Sequence, residues 1–357
     1  MKVRTHHNSG GIALIMVMCA IFVLSALAAG FVLSMKVETR LAQNANSEQQ
    51  LLWLGRSGVE LARYVLMQHP PGEPFDSLNQ KWAGGSGSLA ESNSALSSLS
   101  LVNYPVGDGT VSIKIIDLER KVNINTAVYS AINPNPIQQA LTLMGVDANQ
   151  ISVVSDSIKD WIRTDGPQPA GAKSDYYQGL AVPYYAKEAP IDDMSELLLV
   201  KGILDHPEIY WGSAATTHTP SVFQHKLGLG TAPGQTPDYP FGLVEIFTPF
   251  SSGKININTA NANVLQMIPG VDAAMADAII KQRAGPDGVD GTEDDIPFSS
   301  PGQLGGFGIQ DTSACDTHSY TYEVHATAQI SEFKREYVAI LARTSGMDIQ
   351  VLSFYWK

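Results

Sequence analysis

Residues 121–127 read KVNINTA, and residues 254–260 read KININTA. The stretch contains no nucleophile, base or metal-ligand pattern, so its repetition speaks of architecture rather than chemistry. The residues downstream of each copy are also alike. The first continues through LMGVDANQISVVSDSIKDWIR (143–163) to APIDDMSELLLVKGI (189–203). The second continues through VLQMIPGVDAAMADAIIKQR (264–283) to PFSSPGQLGGFGI (297–309). Each copy has NINTA, an apolar stretch, Gly-Val-Asp, a helix ending in arginine, an acidic loop, and a short helix before Gly-Ile. This is an internal duplication, although two repeats do not make a solenoid. The Asn and Thr side chains are suited to capping helices, and Gly145 and Gly270 to a tight turn between helices. Ala273, Ala276 and Ala278 point to a closely packed helix of high intrinsic propensity.

On either side of the duplication the pattern changes. GTVSIKIIDLER (109–120) alternates in the manner of a strand, with Val111, Ile113, Ile115 and Leu118 apolar. Near the C-terminus YTYEVHATAQI and EYVAILART flank the polar SEFKR, which predicts a β-hairpin, and DIQVLSFYW supplies a last strand. The Gly/Ser-rich stretch AGGSGSLAESNSALSSLS (83–100) predicts a flexible spacer.

The N-terminus is of a different kind. From Ile12 to Met35 there is no charged residue. As a helix that run spans about 36 Å, enough to cross a bilayer core of about 30 Å. Lys2 and Arg4 precede it, which places the N-terminus in the cytoplasm and the remainder outside. Three readings compete: a signal peptide cut after Ala28, an uncut anchor, and a leader removed before the apolar run so that the helix is retained. Downstream residues favour retention. No proline interrupts before Pro70, and Leu51, Leu54, Gly58, Leu61 and Val65 recur at helical spacing, predicting one helix from Ile12 to about Gln68.

Taken with GG-IALIMVMC at 10–19, these features resemble the minor pseudopilin K family of type II secretion systems (general secretion pathway protein K). Segments 160–180, 190–203 and 242–260 are similar to K-family segments, so the likeness runs over most of the chain. The resemblance implies that prepilin peptidase cuts after Gly11 and that Ile12 becomes the N-methylated first residue. Most pilins carry glutamate at the fifth residue after the cut; here it is Met16, as in the K family. A subunit without that carboxylate cannot neutralise a neighbour's buried ammonium, which suits a place at the end of a stack.

The implied fold is α+β: a pilin-like long helix packed on a small antiparallel sheet, with a large inserted helical domain containing two helix-hairpin-helix-like repeats. The boundaries expected are a leader at 1–11, a transmembrane part at 12–35, a periplasmic part at 36–68, and a head from 69–120 and 311–357. The insert is expected at 121–310, with repeats at 121–203 and 254–309. The implied function is to cap the pseudopilus tip, help initiate its assembly, and support export of folded proteins across the outer membrane. Implied partners are the minor pseudopilins I and J, other pseudopilus subunits, prepilin peptidase, the inner membrane, secreted proteins and the secretin. The protein would be a single-pass inner-membrane protein with a periplasmic head.

AGPDGVDGTEDDIPF (284–298) gathers Asp287, Asp290, Glu293, Asp294 and Asp295 among glycines, a composition suited to calcium although without EF-hand spacing. Solvated loop acids are the alternative, and the resemblance to calcium-carrying K proteins favours the ion. The corresponding loop of the first copy holds Asp160, Asp165 and Asp175, but Arg163 and Lys173 stand where relatives carry acids, which weakens that site.

No enzyme motif is found: HExxH, P-loop and G-x-S-x-G patterns are missing, and the eight histidines show no ligand spacing. The two cysteines, Cys19 and Cys315, are too differently placed to pair. A rival reading is a membrane-anchored DNA receptor of the competence type, which also joins an anchor to helix-hairpin-helix units. Net charge of −12 opposes it, as do Asp147 and Asp272, which stand where a DNA-binding hairpin carries its second glycine. No nucleic acid is expected as partner. A minor pilin of a type IV pilus is disfavoured by the duplicated insert.

Overall fold

The computed structural model describes residues 10–68, 73–87, 91, 96–132, 134–212, 239–345 and 348–357. The leader residues before Gly10, part of the Gly/Ser stretch, and His69, His218 and His225 lie outside the described residues.

Helix α1 spans Gly10–Met67, 58 residues. At 1.5 Å per residue it is about 87 Å long. From Ala13 to Asn46 its side chains are exposed, the apolar ones included: Phe22 is 75% exposed and Leu24 65%. A helix with that much uncovered apolar surface needs an apolar surrounding. The helix becomes amphipathic only in its last third, where Leu51, Leu54, Val59, Ala62, Val65 and Leu66 are buried.

That face rests on a five-stranded antiparallel sheet: β1 (Tyr104–Val106), β2 (Gly109–Asp117), β7 (Thr321–Ile330), β8 (Phe333–Ser345) and β9 (Asp348–Trp356), in that order. Val111, Ile113 and Ile115, then Tyr322, Val324, Ala326 and Ala328, then Tyr337, Ala339 and Leu341 point at the helix. The period of two that marks these strands in sequence follows from this one-sided burial. Two glycines let the helix come close. A Cβ on Gly55 would lie 2.2 Å from the Tyr337 ring, and one on Gly58 would lie 2.7 Å from Val111. The Tyr337 ring is stacked on Phe354 at 5.5 Å and has no room to retreat. Gly55→Val should therefore cost about 3 kcal/mol of stability by overpacking. Thermal unfolding of the detergent-solubilised chain checks this, with Gly30→Ala as control, because a Cβ there meets nothing within 4 Å.

The insert is spliced between β2 and β7, which are neighbours in the sheet. Asp117 and Tyr322 are register partners, and the Leu118 amide donates to Thr321 O at 2.9 Å. The points where the chain leaves and rejoins the sheet are thus adjacent, so some two hundred residues are accommodated without disturbing the ladder. The insert has its own core, built from residues such as Ile137, Leu141, Ile158, Tyr177, Leu197, Ile246, Phe247, Val264, Ile279 and Leu304, separate from the core beneath α1.

Two short parallel ladders close the insert. β3 (Val122–Asn123) pairs with β4 (Phe247–Thr248), and β5 (Ile255–Asn256) pairs with β6 (Cys315–Asp316). Each copy of the repeated heptapeptide therefore opens on a strand that pairs with residues lying beyond its repeat. The stretch 311–320, expected in the head, is tied through β6 to the second repeat. Nor is the Gly/Ser-rich stretch a bare spacer where it is described. Leu96 is buried in the sheet's core and the Glu91 carboxylate accepts from the Lys81 amide at 3.0 Å, while Trp82, the residue before the stretch, is buried in the same core and donates its indole N–H to Gln80 at 2.7 Å. A few well-placed side chains anchor a segment whose composition reads as loose.

Candidate functional site: the anchor helix and the twin clamps

The repeated heptapeptide does the same work twice. In the first copy the Asn123 side chain accepts from the Asn125 amide at 2.8 Å; in the second, Asn256 accepts from the Asn258 amide at 2.9 Å. The second asparagine of each copy reaches across the module. Asn125 accepts from the Ile191 amide at 2.7 Å and donates to Ile191 O at 3.0 Å. Asn258 accepts from the Phe298 amide at 2.8 Å and donates to Phe298 O at 2.9 Å. Ile191 and Phe298 each precede a short 3-10 helix, Met194–Leu199 and Pro301–Phe307. A carboxamide is the one side chain here that can satisfy a backbone donor and acceptor together, which accounts for asparagine at both positions.

The arginine ending each central helix is the other half of the clamp. Arg163 follows helix Ala148–Ile162, donates to Val128 O at 3.4 Å, and holds the Asp165 carboxylate with two nitrogens. Arg283 ends helix Ala273–Arg283, donates to Ile257 O and Ala260 O at 2.7 and 2.8 Å, and holds Asp290 at 3.0 and 2.7 Å. Asp165 and Asp290, both predicted as metal ligands, are thus each engaged by the arginine that closes the central helix of their repeat, two and seven residues before them. Of the four alanines in the second helix only Ala276 is buried; Ala273, Ala274 and Ala278 face solvent.

The remaining predicted ligands are spread among local tasks. Asp295 accepts from the Gly291 amide at 2.8 Å, Asp294 from the Thr292 hydroxyl at 2.9 Å, and Asp287 from the Val289 amide at 2.8 Å. The Thr292 hydroxyl holds the Asp294 carboxyl below its ordinary range, while burial pushes Asp295 up. Glu293 is exposed. Asp160 is buried and accepts from the Gln168 amide at 3.0 Å, and Asp175 lies in the first turn of helix Ser174–Gln178. Among the described residues no three His, Cys, Asp or Glu side chains converge as a metal-binding group. As folded, the loop's carboxylates are engaged by its own backbone, by Thr292 and by Arg283, so a six- to eight-oxygen calcium shell there would have to displace Asp290 from Arg283.

Asp147 and Asp272 turn out to be N-caps. Asp147 accepts from the Asn149 amide at 2.9 Å and Asp272 from the Met275 amide at 2.8 Å. Each carboxylate occupies the helix N-terminus, the place where a phosphate would otherwise bind. Gly145 and Gly270, at φ of +82° and +84°, make the turns before them.

Gly11 and Ile12 lie in the first turn of α1. Among the described residues one helix, Ala13–Met67, is long and apolar enough to cross a membrane, and its most apolar stretch has no buried residue. Of the cysteines, Cys19 is exposed on α1 and Cys315 is buried in β6, both as free thiols.

The sequence reading missed a buried polar joint between sheet and insert. Asp76 is fully buried, ion-pairs with Arg343 at 3.0 Å, and accepts from the Ser319 amide at 2.9 Å and the Tyr322 hydroxyl at 3.3 Å. Its backbone carbonyl accepts from Asn256 at 3.0 Å. Asn256 also donates to Ser319 Oγ at 2.8 Å, and Thr259 donates to Asp117. Nothing about Asp76 in sequence marks it, since Ser319, Tyr322 and Arg343, which meet its carboxylate, lie more than 240 residues away.

The family model described as type II secretion system protein K matches residues 120–209, the segment of the first clamp, and a helix-hairpin-helix motif model matches 251–291, the second. A type II secretion system protein K from Pectobacterium carotovorum subsp. carotovorum is 25% identical over 171 residues, 44% of this chain. Over these segments the chain is similar to protein K of type II secretion systems. The match spans 47% of that curated relative, about half its length. Among solved structures, the crystal structure of the GspK-GspI-GspJ complex from enterotoxigenic Escherichia coli aligns with a TM-score of 0.60 at 16% identity. The alignment covers 88% of this chain and 99% of that chain, and it shows the shared fold: long helix, small antiparallel sheet and helical insert.

Proposed function

We propose that this protein is a protein K of a type II secretion system, a minor pseudopilin that sits at the tip of the pseudopilus, anchored in the inner membrane by α1 with its head in the periplasm. The observation that carries the reading is the division of α1: an uncovered apolar part long enough to span a bilayer, continuous with a part docked on a folded head. A second domain spliced onto the sheet's strand ends supports the tip position, because repeating so bulky a head along a packed filament would produce clashes. Partners equivalent to the I and J subunits, a start of assembly at this subunit, and support for export of folded proteins through the secretin complete the proposal. The role is architectural and uses no catalytic residue. The N-cap carboxylates Asp147 and Asp272 argue against the DNA-receptor alternative, and a gel shift should detect no salt-sensitive binding.

The test is the mass of the N-terminal peptide after expression with and without prepilin peptidase. A peptide beginning at N-methyl-Ile12, only with the peptidase, is the expected result. A start at Ala29 or an intact Met1 would remove the protein from the pseudopilin pathway.

Calcium at 284–298 is a separate proposal, motivated by five acids in one loop, and it would require Asp290 to leave Arg283. If it holds, millimolar calcium should raise the Tm by several degrees by mass action. No shift, or an equal shift with magnesium, would dismiss it.

A further inference from the structure

The chain enters the insert through residues 117–121, and this segment carries two buried carboxylates, Asp117 and Glu119. It is wedged between the second heptapeptide and the turn before it: the Asn256 amide donates to Glu119 O at 2.8 Å, and Ser251 Oγ donates to Lys121 O at 3.2 Å. The Glu119 carboxylate accepts from the Ser252 amide at 2.9 Å and from Ser252 Oγ at 2.7 Å. Asp117 accepts from the Glu119 amide at 2.8 Å and from Thr259 Oγ1. All these donors are neutral. Among the described residues neither carboxylate has a lysine or arginine nitrogen within ion-pair distance, whereas the neighbouring Asp76 takes Arg343.

The groups facing them come from every side of the joint. Asp117 feels Asp76 from the loop before it, Arg343 from β8, Tyr322 from β7, and Glu119 and Arg120 on its own segment. Glu119 feels Asp117 and, from the segment entering β7, Tyr320 and Thr321.

We propose that the joint between sheet and insert is proton-dependent: it is firm when Asp117 and Glu119 hold protons and loosens when both are ionised. Burial pushes the Glu119 carboxyl up to about 7, opposed by the Ser252 hydrogen bonds, and Asp117 up to about 6, opposed by Thr259. In an opened joint both return to ordinary values, 4.5 and 3.8. Between about 4.5 and 7 the closed joint therefore holds a proton that the open one has released. Closure weakens as pH rises through that window, by up to about tenfold per pH unit for each group. Above it, the joint stays at its weakest.

Hydrogen exchange of the full chain in detergent, corrected for intrinsic rates, tests this. Between pH 5.5 and 8.0 the opening equilibrium at amides of 117–122 and 252–258 should rise by about tenfold or more, while amides paired between β7 and β8 change less. Glu119→Gln, which cannot ionise, should flatten the response. Ser252→Ala, which removes a donor to the charged form, should move the midpoint to higher pH. A response that is missing in the parent, equal throughout the sheet, or unchanged in both variants would overturn the proposal.

Discussion

Asp76→Ala should lower the Tm of the full chain by about 10 °C, among the largest losses expected from any single truncation outside the membrane. The substitution strands Arg343, whose side chain is 11% exposed, together with the Ser319 amide and the Tyr322 hydroxyl. Breaking a buried ion pair from one side costs about 3–5 kcal/mol, because the surviving charge stays in a medium that solvates it poorly. For a domain of this size that converts to roughly 2–4 °C per kcal/mol. The Arg343 guanidinium also lies 5.1 Å over the Tyr322 ring, so its displacement would disturb the edge-on contact of Tyr322 with Trp82 at 5.4 Å. Thermal scans followed by tryptophan fluorescence would read the result. A shift of only 1–2 °C would mean that the joint does not depend on this pair.

Arg283→Ala should cost about 3–4 kcal/mol, and Arg163→Ala about 1 kcal/mol or less, although the two arginines hold equivalent places. The difference is burial. Arg283 is 4% exposed and satisfies two backbone carbonyls as well as Asp290. Arg163 is 28% exposed, touches one carbonyl at 3.4 Å, and water can replace much of what it offers Asp165. A double-mutant cycle with Asp290→Asn and Asp165→Asn would separate pair energy from the cost of stranding a partner. Equal losses at both arginines would show that the two modules are energetically as well as geometrically alike.

Both predictions rest on contacts that differ in how visible they are from the sequence. The heptapeptides announced a duplicated module because their function is local in part: each asparagine caps its own turn two residues on, and such spacing is preserved in the chain itself. The helix face of Leu51, Leu54, Gly58 and Val65 was legible because a buried stripe imposes a period, and the strand β2 alternation because one side faces the core. Arg63, by contrast, has no part in that stripe, yet it donates to Ile349 O on β9 at 3.0 Å. The acidic loop is a further case. Composition shows five acids, but only folding reveals that Asp290 belongs to Arg283 and that its neighbours bind backbone amides.

The sequence by itself determined the anchor, the duplication and the α+β class, since each is written in periodicity or repetition over short distances. Tertiary structure alone decided how the two halves are joined. The joint is made of Asp76, Asp117, Glu119, Asn256, Ser319 and Arg343, polar residues drawn from five separate stretches. Polar side chains carry no periodic signature, and which of them are buried together depends on the path of the intervening chain. Their energies come from being desolvated in company, a property that no single stretch possesses.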